Sequence, residues 1–121
     1  MNLRKIQKNN IELAIIDFDA VLITDDSSAV DFFATIQYES NCDRFVMRQS
    51  QFHPNFFDLK TGLAGRVLQK LVNYRMKLAI VGDFSIYPSK SLNDFIYEMN
   101  SGSDVCFINS EDGAIDRLSM I

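Results

Sequence analysis

Two groups of residues in this chain have types and spacing that could do chemistry. The first is Asp58-Leu59-Lys60-Thr61-Gly62-Leu63-Ala64-Gly65, which leads into an apolar periodic stretch. A threonine and two glycines at a helix start put a hydroxyl and several free backbone N–H groups on one exposed corner. The second group is acidic: Asp17-Phe18-Asp19 follows one apolar run, and Asp83, in Gly82-Asp83, follows another. Aspartates so placed could attack phosphorus, shuttle a proton and hold Mg²⁺. The corner is the stronger candidate. Asp58, Lys60, Thr61, Gly62 and Gly65, with Asp83 in the neighbouring loop, are the expected partner-binding or regulatory residues. No catalytic residue is assigned, and no metal or other cofactor is expected.

Each of these features also has a plain explanation. The acidic group resembles the Asp-x-Asp nucleophile motif of haloacid-dehalogenase-like phosphatases, with Gly82-Asp83 as a late metal-binding motif. Ser85 to Lys90 holds no Asp or Glu, however, and the chain is short for that fold. A kinked hairpin with solvated carboxylates accounts for Asp17 and Asp19 more simply. Gly62 and Gly65 satisfy neither phosphate-loop pattern, so close packing of the helix start on the sheet is their simpler role. His53, the single histidine, precedes Pro54 with no ligand partner at metal spacing and reads as an exposed loop residue. Cys42 and Cys106 stand far apart near apolar runs, as reduced thiols in or beside a core. Ten phenylalanines without a tryptophan point to a phenylalanine-built core. Adjacent Phe56 and Phe57 cannot both face it if extended, so one is expected at a groove, a dimer contact or a partner surface.

Composition narrows the classes. The 121 residues suit one domain spanning 1–121, with 47% hydrophobic and 23% charged residues. A net charge of -4 argues against nucleic acid or an anionic membrane surface as the main partner. The N-terminal residues lack a sustained apolar stretch and no run is long enough for a bilayer, so a cytoplasmic protein without membrane insertion is expected.

The elements that must position these residues alternate. Leu3 to Lys8, the turn pair Asn9-Asn10 and Ile11 to Ile16 read as an antiparallel hairpin. Ala20 to Thr24 is a further short β run. Asp25, Asp26 and Ser27 start a first helix, with Val30, Phe33, Ala34 and Tyr38 at helical spacing. Arg44 to Met47 is the next strand. A second helix spans about Gly62 to Tyr74, burying Leu63, Val67, Leu68, Leu71 and Val72. Lys77 to Val81 reads as a covered interior strand. Pro88 suits the first turn of a third helix carrying Leu92, Phe95, Ile96 and Met99, with Gly102 as its C′ residue. Val105 to Ile108 is the last strand, and Ser110 caps a final helix with Ala114, Ile115 and Leu118 inward. The order implies an α/β domain: a mixed, mostly parallel sheet with an N-terminal antiparallel hairpin and flanking helices.

That order resembles the STAS (SpoIIAA-like) family, whose founding member is the bacterial anti-sigma-factor antagonist. Its signature at the second helix, Asp-Ser-Ser/Thr-Gly-Leu-Gly/Ala, contains the phosphorylated hydroxyl. Aligned on Gly62-Leu63-Ala64, Thr61 takes the second hydroxyl position, Lys60 the first, and Asp58 lies one residue further away. The chain is most similar to a small bacterial family of unknown function with F-F-D-L-x-T-G-L-A-G and K-L-A-I-V-G-D-F segments. The resemblance implies a STAS-like fold and a non-enzymatic regulatory or protein-binding module with an unidentified protein partner or a homo-oligomeric state. Three alternatives are a small-molecule or lipid-binding domain, a Mg²⁺-dependent phosphotransfer enzyme using Asp17, Asp19 and Asp83, and a purely structural oligomer.

Overall fold

The computed structural model describes residues 3–121. Strand β1 (Leu3–Lys8) pairs antiparallel with β2 (Ile11–Ile16), from Leu3 opposite Ile16 to Lys8 opposite Ile11. The two linking residues, Asn9 and Asn10, have φ of 53° and 64°. Both signs are positive, as a type I′ hairpin turn requires, and asparagine tolerates that region better than most residues.

Three crossovers follow. Strands β3 (Arg44–Arg48), β4 (Lys77–Val81) and β5 (Val105–Ile108) each add parallel to the one before, giving the sheet order β1-β2-β3-β4-β5. Helices α1 (Asp26–Ser40), α2 (Leu63–Asn73) and α3 (Lys90–Ser101) make the crossovers, and α4 (Glu111–Leu118) follows β5. Each crossover steps one strand in the same direction, so connections of one hand place α1, α2 and α3 on one face. Two buried clusters mark the division. Ala14, Ile16, Phe45, Met47, Leu78 and Ile80 join the helices through Phe33, Ile36, Val67, Leu71 and Leu92. Leu13, Ile15, Val46, Ala79 and Cys106 meet Ala114 and Leu118 of α4. Strand β4 is therefore covered on both faces, and Ile80 is fully buried, as its unbroken apolar run predicts. Burial also pushes the Cys106 thiol up from its ordinary pKa.

The two sheet edges differ. On β1, Arg4 bonds Asp17 and Glu111, and Lys8 bonds Asp116. On β5, the side-chain amide of Asn100 takes the place of another strand: Oδ1 accepts from the Phe107 N–H at 2.7 Å, and Nδ2 donates to the Phe107 carbonyl at 3.1 Å.

Several local expectations are corrected. Helix α1 buries Ala29, Phe32, Phe33, Ile36 and Ser40, leaving Ala34 exposed and Tyr38 91% exposed. The helix carries two apolar arcs that share Phe33, and the sheet takes the bulkier one, with Phe33 stacked on Phe45 at 5.7 Å. Val72 lies outside the buried stripe of α2 at 43% exposure, and Ala64 takes a place inside it. Ala20 to Thr24 forms no strand beyond a single bridge between Ile23 and Phe52. Pro88 precedes the Ser89 cap of α3 and lies outside its first turn, and Gly102 ends that helix at φ -92°, outside the left-handed region. The caps of α1 and α4 form as expected, through Asp25 with Ser28 and through Ser110.

Candidate functional site

The loops leaving β2, β3 and β4 gather at one end of the sheet, where parallel strands present their carboxyl ends. Two glutamines after β3 hold them. Gln51 is fully buried, yet its amide is completely engaged. Nε2 donates to the carbonyls of Ile16 (3.0 Å) and Phe18 (2.8 Å), and Oε1 accepts from the Arg48 N–H at 2.7 Å. The Gln51 carbonyl receives the N–H groups of Leu22 and Ile23. The loop after β2 is thereby fastened to the end of β3. Gln49 does the same on the other side. Its Nε2 donates to the Tyr87 hydroxyl at 2.6 Å, and its Oε1 accepts from the Asp83 N–H at 3.1 Å. Gly82 is required there, because a Cβ would fall 2.6 Å from Gln49 Cβ.

Aromatic packing completes the layer. Phe56 and Phe57 are both buried, at 1% and 5% exposure, which overturns the expectation that one of them faces outward. The segment Pro54–Phe57 is a 3-10 turn, so neighbouring side chains need not alternate as they do in a strand. Phe57 stacks on Tyr87 at 5.3 Å and approaches Phe84 at 6.0 Å, which joins the chain before Asp58 to the loop after Val81. His53 is half-buried, and its Nδ1 accepts from the Asn55 N–H at 3.0 Å, so it caps this turn.

The Asp58–Gly65 corner follows directly. Asp58 and Lys60 are exposed and Thr61 is half-buried. Thr61 ends a second 3-10 turn (Leu59–Thr61), one residue before the N-cap of α2. Its hydroxyl lies 2.8 Å from the carbonyls of both Asn55 and Asp58, to which it donates, and it accepts from the Leu63 N–H at 3.2 Å. The hydroxyl thus ties the turn to the first residue of the helix. Gly62 has φ 76°, so glycine is needed for the backbone; the one close neighbour of an added Cβ would be Arg66 Nη1 at 2.8 Å, the end of an exposed side chain that can move aside. Gly65 is different. It is exposed and a Cβ there would touch nothing within 4 Å, so the expected close packing on the sheet is found at neither glycine.

The acidic residues do not converge. Asp17 is bonded by Arg4 and lies 3.6 Å from Arg48, and these guanidinium groups hold its carboxyl below the usual range, chiefly through the Arg4 hydrogen bond. Asp19 is fully exposed and touches Arg48 at 3.4 Å. Asp83 is exposed and accepts from the Ser85 hydroxyl at 2.5 Å and the Ser85 N–H at 3.1 Å, which lower its pKa. Strand β3 separates the ends of β2 and β4, a gap of roughly 9.6 Å from two strand spacings. Among the described residues, no three His, Cys, Asp or Glu side chains are grouped to hold a metal ion.

Of the six candidate residues, Asp58, Lys60, Thr61, Gly62 and Gly65 form one corner, and Asp83 lies in the loop that Phe57 and Gln49 bind to it. Sequence reasoning missed Gln49, Gln51 and Tyr87, which position this surface. The one available signal was a pair of glutamines at the exit of an apolar strand. Among the described residues, no helix is long and apolar enough to cross a membrane. A family model described as a domain of unknown function (DUF4180) matches residues 8–118, and the chain belongs to that family. No curated protein and no solved structure matches it.

Proposed function

We propose that this DUF4180 member is a STAS-like, non-enzymatic regulatory module that binds a protein partner through the Asp58–Gly65 corner and the loop after Val81. The observation that carries this reading is the bracing of that surface. Phe57 on Tyr87 and the Gln49 amide hold two separate chain segments together. The charges they present, Asp58, Lys60 and Asp83, remain exposed. A preorganised surface loses little conformational entropy when a partner docks, which favours recognition. The mixed sheet with its N-terminal antiparallel hairpin, and a hydroxyl between β3 and α2, agree with what the STAS resemblance implies and support that reading.

Thr61 is the natural point of control. A phosphate there would add about -1.5 to -2 charges beside Lys60 and near the amino end of α2, with Asp58 opposing it. It would also displace the hydroxyl proton from the Asn55 and Asp58 carbonyls, loosening the turn.

The test compares capture of proteins from an extract of expressing cells by the wild type and by an Asp58→Lys/Lys60→Glu variant of unchanged fold. A partner retained by the wild type and lost by the variant supports the reading. The same proteins retained by both would remove the corner from partner binding.

A further inference from the structure

We propose that the cleft between α1 and α2 is a second binding site, for a small apolar acid about one ring in size. The starting point is the arc of α1 that the core leaves unused. Val30 and Ala34 lie outside the main buried set, yet with Phe33 and Met76 they line a cleft of about 180 Å³. Its walls are apolar, and a cavity of about 150 Å³ lined by apolar side chains takes up benzene. The scale is that of a single ring or a short aliphatic chain.

The mouth sets the headgroup. Its polar lining consists of Gln37, Lys70 and Tyr74. Each can donate a hydrogen bond, and the one charge among them is positive. Among the described residues, Lys70 makes no ion pair. Asp26 and Asp31 line the adjoining depression together with Lys70, and Asp26 is engaged by Arg66 at 3.6 Å. An apolar body inside and a carboxylate on Lys70, with Tyr74 and Gln37 alongside, satisfies every group in the cleft.

A second copy of the chain fits this place less well. A stable pair of proteins buries about 800 Å² on each side. Among the residues lining this concave slot, the exposed large apolar side chain is Tyr74. The cleft suits an occupant that enters it.

Benzoate and benzyl alcohol serve as probes in a titration followed by amide NMR shifts. Benzoate should give saturable shifts confined to residues 30–37 and 70–76, with Kd of about 1 mM. Ala34 is exposed, so Ala34→Phe should fill the cleft without disturbing the core and weaken both probes at least about tenfold. Ala34→Leu applies the same test with a smaller group. Lys70→Met should weaken benzoate about fivefold while leaving benzyl alcohol within about twofold. The proposal is overturned by shifts that do not saturate by about 10 mM, by shifts that neither Ala34 variant reduces, by equal loss of both probes in Lys70→Met, or by shifts at these residues when the protein alone is concentrated.

Discussion

Phe57 and Tyr87 lie ring on ring, 5.3 Å apart and 15° from parallel, although thirty positions separate them in the chain. The contact joins the crossover after β3 to the one after β4, and the proposed partner surface depends on it. Phe57→Ala should cost about 3–5 kcal/mol in urea unfolding, as expected for a buried phenylalanine. Tyr87→Phe keeps the ring and removes the acceptor for Gln49, and should cost about 1 kcal/mol.

Gln51 should tolerate neither an apolar nor an acidic replacement. Gln51→Leu removes the buried amide donor from the carbonyls of Ile16 and Phe18, which keep only the Arg48 guanidinium at 3.4 and 3.1 Å, and leaves the Arg48 N–H without its acceptor. A loss of about 3 kcal/mol is expected. Gln51→Glu restores the acceptor but sets a carboxylate against two carbonyl oxygens in a buried place, and should be at least as destabilising. Chemical denaturation of both variants checks the order.

The Asn100 amide closes β5 by imitating a neighbouring strand. Asn100→Ala should expose the N–H and carbonyl of Phe107 and give self-association that rises with protein concentration in sedimentation velocity. Asn100→Asp keeps the acceptor and loses the donor, so its association should be intermediate.

Asp17 ties stability to acid pH. Its folded pKa is lowered, first by the hydrogen bond from Arg4 and further by the charges of Arg4 and Arg48. The stabilisation is therefore fully present above the ordinary aspartate value of about 3.9 and is lost as pH falls through the lower folded value. Asp17→Asn should flatten the decline of stability below about pH 4 and leave its slope above pH 6 unchanged, measured by urea unfolding across that range.

The elements were readable because their signals are local. Leu78, Ala79 and Ile80 form an unbroken apolar run that only a strand covered on both faces can use, and Asn9-Asn10 specifies its own turn. The rotation of α1 was not readable, since Val30, Ala34 and Tyr38 match helical spacing as well as Ala29, Phe32 and Ile36 do. The choice is made by the sheet, through Phe45 under Phe33. The corner was legible through Thr61 and Gly62, whose roles lie within a few residues. Gln49 and Gln51 were not, because their partners at Tyr87, Ile16 and Phe18 are brought near only by the finished fold. Gly65 carried a glycine signal with no steric requirement behind it.

The corner at Asp58–Gly65 is proposed to contact a protein. A photo-crosslinking amino acid placed at Lys60, and at Ser103 on the loop before β5 as a control, tests it in cells expressing the protein. Lys60 should yield a discrete adduct with one other protein, absent from Ser103 and diminished when Thr61→Glu is added. Adducts of the same kind from both positions, or none from Lys60 while Ser103 reacts, would contradict the account.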